Sequence, residues 1–133
     1  MLKTELSETC YVCLRITPEL VLKLAHKIWN DQPEKAREKG KQASKIIEDC
    51  YKQKPWFFCG RTYRTILGGL FYLLSEYQKK TIDGLYYRKE NSMKKIGYDL
   101  ETTEVGVRQG YLRWKKSFPK LIKKLDDQLI DKW

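Results

Sequence analysis

Residues 92–118, SMKKIGYDLETTEVGVRQGYLRWKKSF, constrain the fold of this chain more than any other stretch. Met93, Ile96 and Leu100 fall at i, i+3 and i+7 and lay one apolar stripe along a short helix. Thr102-Thr103-Glu104 then offers a capping hydroxyl followed by an acid, the signature of a second helix start. Val105, Tyr111, Leu112 and Trp114 can supply the buried stripe of that second helix, with Val107 beside it. Thr103, Glu104, Arg108, Gln109 and Arg113 remain for its outer face. Two short helices joined by a tight break, the second carrying polar side chains at its start, have the build of a helix-turn-helix. An ordinary helical hairpin in an all-α core has the same spacing.

The rest of the chain reads as helices that can surround this pair. Thr17-Pro18-Glu19 gives a cap, a first-turn proline and an acid, and Leu20, Val21, Leu24, Ala25 and Ile28 form the buried face that follows. His26 falls off that face and reads as a surface residue. A second helix opens at Pro33 and ends before Lys54-Pro55. Its apolar positions are Ala36, Ala43, Ile46, Ile47 and Cys50, and its first half, EKAREKGKQ, reads as a solvated face. Trp56, Phe57 and Phe58 are expected as plugs beneath the next helix, or as an exposed interaction patch. That next helix, 62–78, is the most apolar: Ile66, Leu67, Leu70, Phe71, Leu73 and Leu74 surround Gly68-Gly69. Two interior glycines cost about 1 kcal/mol each against alanine, so a closely approaching neighbour helix is expected to offset them.

Asp83-Gly84 between Thr81-Ile82 and Leu85-Tyr86 is the pattern of a two-residue β-hairpin near residues 80–87. A surface loop is the alternative. Tyr86, Tyr87 and the nearby Lys79, Lys80, Arg88, Lys89 and Lys94 make this segment a candidate nucleic-acid contact. Phe118-Pro119 breaks the last helix of the pair. Leu121, Ile122, Leu125, Leu129 and Ile130 then give a C-terminal amphipathic helix that covers the body or pairs with a second copy. The organisation is therefore an N-terminal arm (1–16), an all-α domain (17–118) and a C-terminal helix (119–133).

Charge narrows the partners. Lys and Arg total 27 against 17 acids, a formal charge of +10, which favours DNA, RNA or an anionic surface. No apolar run reaches the ~18–20 residues that span a bilayer, so no membrane partner is expected. The N-terminal MLKTELSETCYVC lacks the apolar centre of a signal peptide, which places the protein in the cytoplasm. Cys10 and Cys13 have metal-ligand spacing, but no second pair follows, so no metal and no cofactor are expected. Cys50 and Cys59 bracket a short loop and are either buried thiols or a disulfide. No glycine-rich phosphate loop and no Ser/His/Asp or Cys/His constellation occurs, so the chain does not read as an enzyme.

The order of helices resembles one cyclin-type repeat of the general transcription initiation factor B family. The stretch CGRTYRTILGGLFYL from Cys59 is similar to that family's Gly-Arg segment and small-residue helix, and TEVGVRQGY from Thr103 resembles the helix-turn-helix of its second repeat. The resemblance covers roughly residues 18–119. It implies a cyclin-like five-helix fold whose last helix enters the major groove of double-stranded DNA. Carried across, Val105 and Arg108 become base-contacting positions, with Gln109 and Thr103 added as polar groups on the same face. Lys94, Lys95, Arg113, Lys115 and Lys116 become phosphate contacts that set register rather than sequence. The family has two repeats and a zinc ribbon. A single repeat implies a DNA-binding transcription regulator, as a monomer or homodimer, encoded by an archaeon or one of its viruses or plasmids. A protein-docking adaptor on the basal transcription machinery, without direct DNA readout, is the alternative.

Overall fold

A computed structural model of the chain describes residues 16–58, 62–79 and 87–130. The N-terminal arm up to residue 15, Cys59 with the Gly-Arg pair after it, and the Asp83-Gly84 turn lie outside the described residues. Among the described residues the fold is all-α apart from one short ladder. Helices α1 (Pro18–Ile28) and α2 (Pro33–Gln53) are followed by a 3-10 turn, Pro55–Phe58, and by α3 (Tyr63–Leu74). Strands β1 (Tyr77–Lys79) and β2 (Tyr87–Lys89) come next, then α4 (Met93–Asp99), α5 (Glu104–Ser117) and α6 (Pro119–Ile130).

Helix α3 is the centre. Ile66, Leu67, Leu70, Phe71, Leu73 and Leu74 are all buried, and the other helices pack around them. Its two glycines are explained by α5. A Cβ on Gly69 would sit 2.4 Å from the Gly110 carbonyl carbon and the Tyr111 nitrogen, and one on Gly110 would sit 2.1 Å from the Thr65 carbonyl oxygen. The two backbones therefore touch where Gly69 and Gly110 cross, and no residue with a side chain fits there. Trp114 locks the crossing, donating from Nε1 to the Ile66 carbonyl at 2.9 Å. Its ring packs on Phe57, Phe58 and Phe118 at centroid distances of 4.8, 6.0 and 5.6 Å. Such aromatic pairs contribute ~0.5–1.5 kcal/mol each beyond their burial. Phe57 and Phe58 are thus the expected plugs, whereas Trp56 points outward and is 66% exposed.

Helix α3 ends earlier than the expected 62–78. At Ser75 the chain turns extended, and the Ser75 hydroxyl donates back to the Phe71 carbonyl at 2.9 Å. The residues after it form β1, antiparallel to β2, with Tyr77 opposite Lys89 and Lys79 opposite Tyr87. A two-residue turn at Asp83-Gly84 would instead place Lys79 opposite Arg88, so the pairing agrees with a hairpin but is one residue out of the expected register.

The first half of α2 is not a wholly solvated face. Lys39 is only 1% exposed, and its Nζ lies 3.3 Å from Glu76 Oε2. Lys35 lies 2.6 Å from Glu90 Oε1 and 3.3 Å from Glu76 Oε1, and the Glu76 amide donates to Glu90 Oε2 at 2.8 Å. These ion pairs fasten the strand region to α2. Burial alone would lower the Lys35 pKa, but the hydrogen bond and charge of Glu90, helped by Glu76, raise it. Nearby, Lys89 donates to the Leu73 and Ser75 carbonyls at 3.1 and 2.9 Å. Desolvation pulls Lys89 down to about 8, against the opposing charge of Asp126. Helix α6 covers the body, joining the same core through Ile122 and Leu125. Cys50 is a buried free thiol, the first of the two alternatives left open for it, and burial pushes its pKa to about 11.

Candidate nucleic-acid interface

The helix pair of residues 92–118 forms as α4 and α5, each capped by a hydroxyl. Ser92 Oγ accepts from the Lys95 amide at 3.1 Å, and Thr103 Oγ1 accepts from the Gly106 amide at 3.0 Å. Between the helices the chain turns in four residues, 100–103. The Thr102 amide donates to the Gly97 carbonyl at 2.7 Å and the Glu101 amide to the Tyr98 carbonyl at 3.2 Å. Glu101 adopts φ 59. Those two bonds around a left-handed residue form a Schellman motif, which satisfies the orphan carbonyls of α4 and reverses the chain at once. Gly97 lets the next segment pass closely, since a Cβ there would meet the Thr103 carbonyl carbon at 2.8 Å.

The inner face of α5 differs from the expected stripe. Val107, Gly110 and Trp114 are buried, at i, i+3 and i+7, with Tyr111 half-buried against Tyr72 at 5.3 Å between ring centroids. Val105 and Leu112, expected to be buried, are instead 55% and 52% exposed. The signal missed was Gly110: at a backbone contact the smallest residue marks the buried face better than a leucine does. Burial raises the Tyr72 and Tyr111 phenol pKa values.

The outer face of α5 therefore carries Val105, Arg108, Gln109, Leu112, Arg113, Lys115 and Lys116, all exposed. Arg108 pairs with Glu104 one turn back at 3.1 Å, both side chains about half exposed. An exposed pair of this kind is worth ~0–1 kcal/mol, so the guanidinium can exchange it for another acceptor. Thr103 is less available than expected, because its oxygen is already taken by the helix cap and only its hydroxyl hydrogen remains to offer. Lys94 is exposed. Lys95 is spoken for. It donates to the Ile28 carbonyl at 2.8 Å and pairs with Asp99 at 2.8 Å, tying α4 to the end of α1, so it is a structural clamp rather than a free phosphate contact. The Lys115 ammonium lies over the Tyr111 ring, 6.0 Å from its centroid, and the residue is exposed.

Tyr98, which the periodicity did not single out, is 85% exposed on α4. It flanks a shallow cleft lined by His26, Lys27, Asn30, Asp99 and Glu101. The sequence signal was there: Tyr98 lies off the Met93, Ile96 and Leu100 stripe, so an aromatic ring had nowhere to go but outward. Among the described residues, no His, Cys, Asp and Glu side chains gather into a metal-binding cluster, and no helix is long and apolar enough to cross a membrane.

The chain matches no family model, no curated protein and no solved structure. Its own geometry is what speaks for function. That geometry is a tightly seated helix whose outer stripe mixes an aliphatic residue, a guanidinium and an amide, beside exposed cations at both ends of the helix pair.

Proposed function

We propose that the chain is a sequence-specific DNA-binding transcription regulator, with α1 to α5 forming one cyclin-like repeat similar to those of the transcription initiation factor B family. In this reading α5 enters the major groove by its N-terminal half. Arg108 releases Glu104 and bonds guanine through two N–H groups, worth ~1–3 kcal/mol of discrimination, and Val105 packs on a thymine methyl. Gln109 reads beside them, and Thr103 contributes at most its hydroxyl hydrogen. Lys94, Arg113, Lys115 and Lys116 meet phosphates and fix register. The observation that carries the reading is the exposed Val105, Arg108 and Gln109 stripe on a helix held rigidly from behind by the Gly69–Gly110 crossing and Trp114. Rigidity matters because readout needs the donors held in place before the DNA arrives. The formal charge of +10 supplies non-specific attraction.

Selection of bound duplexes from a random pool tests this. Enrichment of a short defined element supports it, and recovery of unrelated sequences with equal affinity removes the readout.

The second reading is a protein-docking adaptor for the basal transcription machinery, favoured by the outward Trp56 at 66% exposure. Nuclease-resistant capture of a polymerase or promoter-complex subunit, abolished by Trp56→Ala and untouched by Arg108→Ala, would favour it over DNA readout.

A further inference from the structure

On the side of the molecule formed by α2 and α6, two clefts open between the helices. One of about 450 Å³ is lined by Ile46, Asp49, Cys50, Phe118, Lys120 and Leu121 among others. The other, of about 410 Å³, is lined by Lys41, Lys45, Ile46, Asp49, Lys124 and Leu125 among others. They share Ile46, Asp49 and Leu121, so they form one continuous groove. The floor is apolar: Ile46, Phe118 and Leu125 are buried, and Leu121 is half-buried. The rims are basic. Lys41 and Lys45 stand one turn apart on α2, Lys120 and Lys124 one turn apart on α6, and all four are exposed. The one carboxylate among the shared lining residues, Asp49, is met by Lys45 at 4.0 Å.

We infer that this groove docks an acidic amphipathic helix of a protein partner. An apolar floor between two rows of lysine fits a helix with apolar side chains along one stripe and Asp or Glu on both flanks. The lining spans residues 41 to 53 of α2, a length of roughly 18 Å at 1.5 Å per residue, enough for about three helical turns. Charge complementarity steers the partner in and sets its register, while the floor supplies the apolar burial. Nucleic acid fits the rims but not the floor, because phosphate gains nothing over Ile46 and Leu121. This surface uses no residue of the α5 outer face, so it stands or falls independently of the DNA reading.

The test uses the full chain and a fluorescent 15-residue probe peptide with Leu at i, i+4, i+7 and i+11 and Glu at the flanking positions. Its scrambled counterpart has identical composition. Saturable binding on the order of 10–100 μM is expected for the probe, with affinity falling as salt rises. The fourfold variant Lys41→Glu, Lys45→Glu, Lys120→Glu and Lys124→Glu, all at exposed positions, should weaken the probe at least about tenfold. Leu121→Ser should also weaken the probe while leaving the affinity for a 15-base-pair duplex unchanged. The inference is overturned if the scrambled peptide binds as tightly, if the probe does not bind at all, or if Leu121→Ser leaves it unaffected. Loss of duplex affinity in Leu121→Ser, with circular dichroism unchanged, would assign the groove to nucleic acid and overturn it equally.

Discussion

Replacing Gly110 by alanine interrogates the contact that holds the candidate reader helix in place. The new Cβ would sit 2.1 Å from the Thr65 carbonyl oxygen and 3.0 Å from its carbon. A normal approach is above 3 Å, and the obstacle is backbone, so α3 and α5 must separate by about an ångström. That separation strips packing from Val107 and stretches the Trp114 bond to Ile66, a strain of the overpacking kind, ~1–3 kcal/mol and occasionally more. Alanine regains about 1 kcal/mol of helix propensity over glycine. The net expectation is a loss of about 1 kcal/mol, more if the backbones cannot part. Gly106→Ala is the internal control. It lies in the same helix with the same propensity gain, but its Cβ would meet only the Thr102 and Thr103 hydroxyls, at 2.9 and 3.4 Å, the first of which can rotate away. Urea unfolding followed by tryptophan fluorescence should place Gly110→Ala well below Gly106→Ala in midpoint. Equal midpoints, or Gly110→Ala above the parent protein, would refute the close crossing.

Other consequences can be checked in the same assay. Lys89 has a folded pKa of about 8, below its usual value, so the folded state binds fewer protons than the unfolded one between about pH 8 and 10. Stability should therefore rise from about pH 8 to 9 by roughly 1 kcal/mol, until Cys50, raised to about 11, and then the raised Tyr72 and Tyr111 oppose it, and Lys89→Met should remove the rise. Stability that falls between about pH 8 and 9 in the parent protein would contradict the buried, desolvated amine. Glu101→Gly relieves a non-glycine residue at φ 59 and loses only an exposed pair with Lys27 at 3.8 Å, so a gain of about 0.5–1 kcal/mol is expected and any loss argues against the turn geometry. Trp114→Phe removes the donor to the Ile66 carbonyl and leaves a void, for an expected loss of ~2–3 kcal/mol by thermal unfolding. An unchanged midpoint would mean that the indole does not anchor the crossing.

The capping residues made the helix pair legible. Ser92 and Thr103 carry the bonds that their positions suggested, and Met93, Ile96 and Leu100 turn inward as their spacing requires, fully so for the last two. The glycine pair in α3 likewise announced a close neighbour, though not which one. What failed did so for definite reasons. Counting apolar residues put Val105 and Leu112 inside, because the real contact is backbone on backbone and leaves no apolar signature at Gly110. Lys39 and Lys95 looked solvated because charge alone does not reveal a carboxylate or carbonyl brought close by the fold. Glu76 and Glu90 lie more than 36 residues beyond Lys39, a separation that local patterning cannot bridge. Trp56 reads like its neighbours in sequence, yet the tight 3-10 turn sends it outward while Phe57 and Phe58 go in.

The central claim is that the outer stripe of α5 reads base edges. The direct measurement is the affinity of the parent protein, Arg108→Ala and Lys115→Ala for a pool-selected duplex and for its single-base variants, across several salt concentrations. Arg108→Ala should lose ~1–3 kcal/mol on the selected site and the preference at one base pair, whereas Lys115→Ala should weaken every duplex about equally and lower the salt slope by about 1. Equal binding of all duplexes by the parent protein, or an Arg108→Ala variant that keeps every base preference, would contradict the account.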